Sequence, residues 1–533
     1  MKYLLSILLV LSVVKAYSSF YCPPKCRCAE AARIVDCSWL ELRRVPVVHD
    51  STSRLYLNDN DIDEISSNEL HHLNHLAYLI LANNKITRLP SDVFVGLKSL
   101  RYLILDGNQI SQLPQGVFSS LTAVETVSLK GNKLEFLAMG IFGDSNQLTL
   151  LNLEDNNIQV IEERALIGLT ELNCLNLHGN QLTNIATNEI SRCTKLQTLK
   201  LSSNHISIND GHLVLPHLKV LHLHSNNITS LPSSLLTGCS VLEHLTLSHN
   251  QLTTLPAGLL GNNGALTKLE LHDNHIKELP MTIFGSCSLL QMIFLHHNHL
   301  TILPDGIFDC LNMLENINLG YNSLQFIQPH LFADLQHLLR INLQSNHICS
   351  LMMYTFVNLP RLKTIALQDN CLVTIATNVF HHLPRLQALF LQGNPVFSIH
   401  HSNLLDSLHI IQLELTSCTC EDSSLIEWAR RRHGIKCWNG NQLIHLVDMK
   451  CDKGRTLDCR VKQLEQELDM IKQSFGVLAM KVAKMEQYSM SCERWVCLHG
   501  NSRLEVGDTW KEGRSLCHCR HDGWVTCEPE LIT

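Results

Sequence analysis

Charged side chains are scarce in this chain of 533 residues, where Asp, Glu, Lys and Arg together make up 17%. The net charge of -7 is spread thinly, and there is no basic stripe that could neutralise phosphates or lie on an anionic bilayer. We therefore expect neither nucleic acid nor a membrane surface as a partner. The 25 Gly and 15 Pro are too few for a fibrous protein, and the hydrophobic content of 45% excludes wholesale disorder.

Sequence motifs of catalysis are also missing. The chain has no G-x-S-x-G, no H-E-x-x-H and no glycine loop of the kind that binds phosphate. We therefore expect that the protein is not itself an enzyme and that it has neither a catalytic residue nor a cofactor. Beyond the N-terminal segment, no apolar run reaches the about 20 residues that a bilayer span requires. The C-terminal TCEPELIT lacks the hydrophobic tail of a lipid-anchor signal, so we expect no membrane insertion.

The N-terminal segment, residues 1–19, has the features of a secretory signal peptide. Lys2 precedes an apolar run from Tyr3 to Val14, and small residues at Ala16 and Ser18 offer cleavage sites. Twenty-one cysteines agree with that route, because disulfides persist where thiols are not kept reduced. We expect a secreted, extracellular protein.

One repeat dominates the sequence. An L-x-L-x-x-N pattern recurs every 24 residues, with one shorter step of 22 between Asn204 and Asn226, and Cys418 takes the asparagine position in the last copy. The two leucines face one side of a short strand, and the asparagine pairs backbone groups of neighbouring coils. One coil cannot bury its leucines alone, so coils must stack into a continuous core with a cap at each end. The asparagines are Asn60, Asn84, Asn108, Asn132, Asn156, Asn180, Asn204, Asn226, Asn250, Asn274, Asn298, Asn322, Asn346, Asn370 and Asn394.

Four cysteines precede the repeats and four follow them: Cys22, Cys26, Cys28 and Cys37, then Cys418, Cys420, Cys437 and Cys451. With the repeat itself, they resemble the capped extracellular leucine-rich repeat family over residues 22–451. The resemblance implies an α/β-type solenoid, a horseshoe with short parallel strands on its concave face and a mostly irregular convex side. It also implies the disulfides Cys22–Cys28, Cys26–Cys37, Cys418–Cys437 and Cys420–Cys451. The residues alone leave three pairings open for each quartet.

The concave sheet is the default binding face of such a solenoid. Residues two, four and six places before each asparagine alternate with buried leucines and should point out of that sheet. Exposed aromatic and aliphatic side chains often anchor interfaces. We therefore predict that an extracellular protein ligand binds Tyr56, Tyr78, Ile80, Tyr102, Ile104, His222, His224, His244, Phe294 and Phe390.

The histidines of this set, His222, His224 and His244, belong to a stripe on the expected concave face with His178, His272 and His296, and the members of this stripe allow three interpretations. They could be solvated surface side chains, or they could make partner binding depend on pH between about 5.5 and 7.5. A metal is the third interpretation. Because zinc needs three or four converging ligands and no compact ligand motif is present, we expect no metal site.

The cysteines within the repeats fall into two groups. Three occupy a position where other coils have a core leucine, and we predict that they are buried and unpaired: Cys193, Cys239 and Cys287. Cys174 is expected on the concave face. The sequence leaves open whether any of the cysteines near coil turns pair: Cys310, Cys349 and Cys371.

A single glycosylation sequon is present. Asn227 is followed by Ile228 and Thr229, directly after a ladder asparagine. In a secreted chain this predicts a glycan on Asn227.

Beyond Cys451 the apolar period becomes a heptad, with apolar residues at Val461, Leu464, Leu468, Ile471, Phe475, Leu478, Val482 and Met485. The alternative to a coiled coil is one helix packed on the cap. Opposite charges at facing positions favour parallel self-association through residues 461–485: Arg460 with Glu465, Glu467 with Lys472, and Lys481 with Glu486. Continuing the heptad places Cys492 at a core position, which predicts an interchain disulfide there. The alternative is a partner within the chain, such as Cys459.

The last segment resembles the first half of a von Willebrand factor type C module, although Arg514 replaces one expected cysteine. Its matching residues are Cys497, Gly500, Gly507, Trp510, Cys517, Cys519, Gly523, Val525 and Cys527. The predicted order is a signal peptide (1–19), N-terminal cap (20–50), repeats (51–417), C-terminal cap (418–455), coiled coil (456–491) and partial module (492–533).

Two functions fit this organisation. The first is a secreted, oligomeric binding protein that acts through its concave face as a matrix, innate-recognition or ligand-sequestering factor. The second is a non-catalytic carrier subunit of an extracellular enzyme. The carrier requires one stoichiometric enzyme partner and the first function does not, so a pull-down from the native fluid distinguishes them.

Overall fold

A computed structural model describes residues 20–143, 147–375, 379–380 and 383–394, together with the backbone of eight strands beyond residue 411. The chain divides into two compact units, Met1–Met449 and Lys450–Thr533. Each unit is described by itself.

The strands of the first unit are short, mostly of three residues. In chain order they are β1 (Arg27–Ala29), β2 (Ile34–Asp36), β3 (Arg54–Tyr56), β4 (Tyr78–Ile80), β5 (Tyr102–Ile104), β6 (Thr126–Ser128), β7 (Phe136–Leu137), β8 (Leu150–Asn152), β9 (Val160–Ile161), β10 (Cys174–Asn176), β11 (Thr198–Lys200), β12 (Val220–His222), β13 (His244–Thr246), β14 (Lys268–Glu270), β15 (Met292–Phe294), β16 (Asn316–Asn318), β17 (Arg340–Asn342), β18 (Ser350–Leu351), β19 (Thr364–Ala366), β20 (Thr374–Ile375), β21 (Ala388–Phe390), β22 (Gln412–Leu415), β23 (Ile435–Asn439) and β24 (Gln442–His445).

Strands one repeat apart pair in parallel and in register. On β4 and β5, for example, Tyr78 lies opposite Tyr102 and Leu79 opposite Leu103. One sheet runs in this way from β2 to β23, closed by antiparallel β1 at one end and antiparallel β24 at the other. Two further parallel pairs, β7 with β9 and β18 with β20, lie outside it. The predicted solenoid with short parallel strands is confirmed.

In the part of the chain that the structure describes, helical structure is limited to single turns. A 3-10 turn covers Glu30–Ala32, and the α-helices are α1 (Ser67–Leu70) and α2 (Thr187–Ile190). In α1 the backbone N–H of Ser66 donates to Glu69 Oε2 at 2.8 Å, which completes a capping box. Nowhere in the described part of the chain is a helix long and apolar enough to cross a membrane.

The core is one continuous apolar cluster behind the sheet. The central residue of each described concave strand from β2 to β21 is buried, and the phenylalanines of successive coils stack behind these residues. Phe118 lies 5.9 Å from Phe94 and 5.6 Å from Phe142, measured between ring centroids. A second stack joins Phe284, Phe308, Phe332, Phe356 and Phe380. Stacking continues the core from coil to coil, as a repeat protein requires.

The asparagine ladder forms as predicted. Asn108 Nδ2 donates to the carbonyl oxygens of Leu81 and Leu105 at 3.0 and 2.9 Å, and its Oδ1 accepts from the N–H of Ile86 at 3.1 Å. Each buried asparagine in this way satisfies backbone groups of two coils. The residue before each asparagine has a positive φ: Asp59, Asn83, Gly107, Gly131, Asp155, Gly179, Ser203, Ser225, His249, Asp273, His297, Tyr321, Ser345, Asp369 and Gly393.

The N-terminal cap has the pairing that the resemblance implied, Cys22–Cys28 and Cys26–Cys37. A third disulfide, Cys349–Cys371, joins two adjacent coils and answers one question that the sequence left open. In the C-terminal cap, Cys418, Cys420 and Cys451 lie outside the described residues, and only the backbone of Cys437 is described, on β23. The two disulfides of that cap stay predictions.

The second unit contributes five strands: β25 (Val496–His499), β26 (Ser502–Glu505), β27 (Thr509–Glu512), β28 (Ser515–Cys519) and β29 (Val525–Pro529). β25 and β26 form an antiparallel pair, and β27, β28 and β29 form an antiparallel sheet. The predicted coiled coil over residues 456–491, and Cys492 after it, lie outside the described residues.

Candidate functional site

Six residues of the first three repeat strands form one surface, here called the aromatic patch: Arg54, Tyr56, Tyr78, Ile80, Tyr102 and Ile104. The register sets them in two rows across β3, β4 and β5. The guanidinium carbon of Arg54 lies 4.8 Å from the centroid of the Tyr78 ring. Tyr78 in turn stacks on Tyr102 with ring centroids 4.5 Å apart. All of these side chains except the exposed Arg54 are half-buried, so the patch offers ring faces and edges to a partner.

Glu125, the residue before β6, interacts with the end of the row formed by Arg54, Tyr78 and Tyr102. The Tyr102 hydroxyl donates to Glu125 Oε2 at 3.2 Å, and Arg101 Nη1 lies 3.2 Å from Glu125 Oε1. The Glu125 carboxylate raises the pKa of Tyr102, chiefly through this hydrogen bond. A cation, two rings and a carboxylate therefore follow one another from Arg54 to Glu125. Each side chain contacts the next one, which restricts the rotamers of both.

A polar stretch follows on the next coils. Lys130 Nζ lies 2.5 Å from Glu154 Oε1, and Asn176 Nδ2 donates to Glu154 Oε2 at 2.7 Å. The hydrogen bond from Lys130 holds the pKa of Glu154 below its usual value. These groups satisfy one another's hydrogen-bonding capacity. The polar stretch lies between the aromatic patch and the histidines further along the sheet.

Two of the predicted histidines, His222 and His224, are more buried than solvated surface side chains would be. The Nδ1 atoms of His222 and His224 both lie 3.1 Å from Thr246 Oγ1. Burial lowers the pKa of His222 to about 4 and also lowers that of His224. His222 therefore stays neutral over the pH range in which the sequence predicts a change in partner binding. Burial therefore shifts the titration of His222 to lower pH. In contrast, His244, on β13, is exposed.

Phe294 lies in a separate group on β15. Lys268 Nζ is 5.7 Å from the centroid of its ring, and His272 and His296 meet the ring edge to face at 6.4 and 6.2 Å. Phe390 lies further along the sheet, half-buried on β21. The predicted binding residues thus lie on or next to the strands of the concave sheet, in separate groups. The tyrosines and isoleucines of the aromatic patch form one group, and His222 and His224, with ring centroids 5.9 Å apart, form another.

The structure brings together one group of polar side chains that the sequence analysis did not predict as a group. His249, His272 and Asp273 offer three ligand atoms that lie within 4.8 Å of one another. Two of these residues stand one place before a ladder asparagine, a position the alternation rule does not assign to the concave face. The signal that was available is the recurrence of His and Asp at the turn of adjacent coils, at His249 and Asp273.

The remaining cysteines of the repeats differ in their burial. Cys174 is half-buried on β10. Cys193, Cys239 and Cys287 are buried and unpaired, as predicted, and burial raises the pKa of Cys193 to about 12. Cys310 is exposed and unpaired. Asn227 is exposed, and its glycosylation stays a prediction.

A sequence profile of the leucine rich repeat family matches residues 50–110, 104–158, 146–206, 216–276, 264–324 and 340–396. These matches cover more than half of the chain, which therefore belongs to the leucine-rich repeat family. No curated protein matches the chain.

Solved structures show the same fold in several organisms. A leucine-rich repeat protein of Leptospira interrogans is 24% identical with a TM-score of 0.54, over 71% of this chain and 95% of its own. The Toll–Spatzle complex of Drosophila gives 19% identity and a TM-score of 0.56, over 75% of this chain and 60% of that one. The plant peptide hormone receptor RGFR1, in complex with RGF2, gives 22% identity and a TM-score of 0.52, over 73% and 68%. The match thus spans less than two thirds of the Toll-complex chain.

Proposed function

We propose that this protein is a secreted binding protein whose aromatic patch holds an extracellular protein ligand. The observation that carries the proposal is the ordered row from Arg54 through Tyr78 and Tyr102 to Glu125. Tyrosine and arginine are the residues most often found as interface anchors. Because stacking already restricts these side chains in the free protein, binding loses less of their entropy.

The shape of the surface favours a protein over a small molecule. The two rows extend across three adjacent parallel strands, about 5 Å apart, on an open sheet. Small ligands are usually enclosed in a cleft, whereas protein interfaces are broad and have aromatic centres. Two proteins of similar fold were solved as complexes, Toll with Spatzle and RGFR1 with RGF2, and both complexes support this class of ligand.

Secretion and self-association complete the proposal. The segment at residues 1–19 and the two cap disulfides support an oxidising, extracellular route. Parallel pairing through residues 461–485, sealed at Cys492, would give each assembly two or more aromatic patches. Linked patches raise the effective affinity for a multivalent or surface-bound ligand.

The test is a quantitative capture from the native extracellular fluid, with the captured proteins identified and counted by mass spectrometry. Tyr78→Ala should lose the ligand. The matched control is Tyr354→Ala, because the exposed Tyr354 is also a tyrosine stacked on a ring of an adjacent coil, His330 of the preceding coil at 5.5 Å, but lies outside the concave sheet. Equal capture by both variants would contradict the proposal. Recovery of one stoichiometric enzyme would favour the carrier subunit instead.

A further inference from the structure

The turns at the end of β13 and β14 bring three metal-binding side chains together. His249 and Asp273 each precede a ladder asparagine and have nearly the same backbone, with φ of 52° and 54°. Equivalent residues of adjacent coils form a column at the strand spacing, about 4.8 Å. His272 precedes Asp273 and points from the same turn. The N–H of His249 donates to the carbonyl oxygen of His272 at 3.0 Å, which fixes the two coils in this register.

The side-chain distances suit one ion. His249 Nε2 lies 3.7 Å from Asp273 Oδ2, and His272 Nε2 lies 4.0 Å from the same oxygen. Ligand atoms about 2.0–2.1 Å from a tetrahedral zinc ion are about 3.4 Å apart. The three atoms are therefore slightly wider apart than bound ligands. Small rotations of the His249 ring and of the Asp273 carboxylate would close the group, because Asp273 takes part in both distances.

The contacts around the group leave its donor atoms available. Both nitrogen-to-oxygen distances exceed hydrogen-bonding range, so neither imidazole is held by the Asp273 carboxylate. The other ring nitrogen of His272, Nδ1, is buried and has no hydrogen-bond partner among the described residues, so no hydrogen bond at Nδ1 competes with a rotation of this ring toward an ion. The ring of His296 stacks on His272 with centroids 4.4 Å apart and fixes its plane. The side chains of His249, His272 and Asp273 are 55%, 17% and 35% exposed, so solvent can deliver an ion.

We propose that His249, His272 and Asp273 form a binding site for a borderline divalent cation of the zinc type. Two imidazole nitrogens and one carboxylate oxygen are donors that zinc prefers, and hard cations such as Ca²⁺ instead take six or more oxygens. Three protein ligands leave a fourth position, open at the rim of the concave face to water or to a ligand from a bound protein. The site is independent of the aromatic patch.

The test titrates the full-length secreted protein with Co²⁺ as a spectroscopic substitute for Zn²⁺, followed by calorimetry with Zn²⁺ itself. The wild-type protein should show the visible bands of tetrahedral cobalt, saturating at one ion per chain. The near-ultraviolet band of a thiolate ligand should be missing, which distinguishes the site from binding at the exposed thiol of Cys310.

Two ligand variants should weaken binding: His249→Asn and Asp273→Asn. Loss of a group that merely orients a ligand costs about 10–100-fold in metal affinity, and loss of a ligand should cost at least as much. Asparagine is chosen because it tolerates the positive φ of both positions better than most residues. Zn²⁺ should also raise the melting temperature of the wild-type protein and not that of either variant.

The matched control is the double variant His275→Asn/His299→Asn. These two exposed rings also stack across adjacent coils, with centroids 5.4 Å apart, but no carboxylate joins them in a three-donor group. The control should bind one ion as tightly as the wild-type protein. The proposal is overturned if the wild-type protein shows no saturable binding, if the ligand variants bind as tightly as it does, or if the control loses affinity as they do.

Discussion

The Tyr78 ring lies nearly parallel to the Tyr102 ring, with centroids 4.5 Å apart and planes inclined by 10°. This relationship follows from the repeat, because the two tyrosines occupy the same position of successive coils and directly opposite places on β4 and β5. Cross-strand aromatic pairs of this kind contribute only about 0.2–1 kcal/mol to folding. Removing this half-exposed pair should therefore change the stability of the fold little, which makes it suitable for a test of binding.

The asparagine ladder should be essential to stability. Besides a longer, part-buried bond to the Lys130 carbonyl, Asn132→Ala removes three buried hydrogen bonds: those donated to the carbonyls of Leu105 and Leu129 and the one accepted from the N–H of Ile110. All three backbone groups stay buried, and an unsatisfied buried group costs about 1–3 kcal/mol. We expect the free energy of unfolding to fall by about 3 kcal/mol or more in urea titrations. The exposed Asn312→Ala should change it by less than about 0.5 kcal/mol.

The disulfide between adjacent coils should also stabilise the C-terminal part of the repeats. Cys349–Cys371 closes a loop of 22 residues, and the chain-entropy estimate for a loop of this size is about 3 kcal/mol. Cys349→Ser/Cys371→Ser should therefore melt earlier and be cleaved first by protease near this pair. Cys310→Ser removes an unpaired exposed cysteine and should melt like the wild-type protein. Identical melting of all three proteins would contradict the assignment.

Much of this fold was predictable, because its period is local. The leucines, ladder asparagines and core cysteines such as Cys193 repeat at fixed positions, and each position has one environment. The Cys349–Cys371 pair was not predictable in the same way. Its two cysteines stand three residues and one residue after their ladder asparagines, so their meeting depends on how the turn bends rather than on alternation.

The candidate site was predictable only in part, for the same reason. Strand alternation correctly placed Tyr78, Tyr102 and Phe294 on the concave sheet. It could not show that His249 and Asp273 turn toward His272, because this depends on the positive φ of the residue before each asparagine. Nor could it show the burial that lowers the pKa of His222.

Stability should decline in acid because of His222. Burial lowers its pKa from 6.5 to about 4 in the folded protein, so the unfolded chain binds more protons between these values and becomes more stable relative to the folded protein as the pH falls. The melting temperature should therefore drop as the pH decreases from about 6.5 toward 4, and His222→Gln should reduce that drop. The exposed His205→Gln is the control. The explanation fails if the acid profiles of the two variants coincide.

Covalent self-association should depend on Cys492. In non-reducing electrophoresis the secreted protein should migrate as a dimer or trimer, because a cysteine at a core position of a parallel coil faces its own copy in the partner. Cys492→Ser should collapse that band to the monomer, whereas Cys459→Ser, at an outward position, should keep it. A monomer band from the unmodified protein would rule out the interchain disulfide at Cys492.

The aromatic patch as the binding surface is tested most directly by the affinity of the captured ligand for Tyr78→Ala/Tyr102→Ala, with Tyr354→Ala as control. An anchor residue contributes about 2 kcal/mol or more, and the values of contacting anchors do not add, so the double variant should bind at least about 30-fold more weakly, the loss of a single anchor. Its melting temperature should stay close to that of the wild-type protein, since the stacked pair adds little to folding. An affinity within about twofold of wild type, or an equal loss in Tyr354→Ala, would contradict a ligand site on this patch.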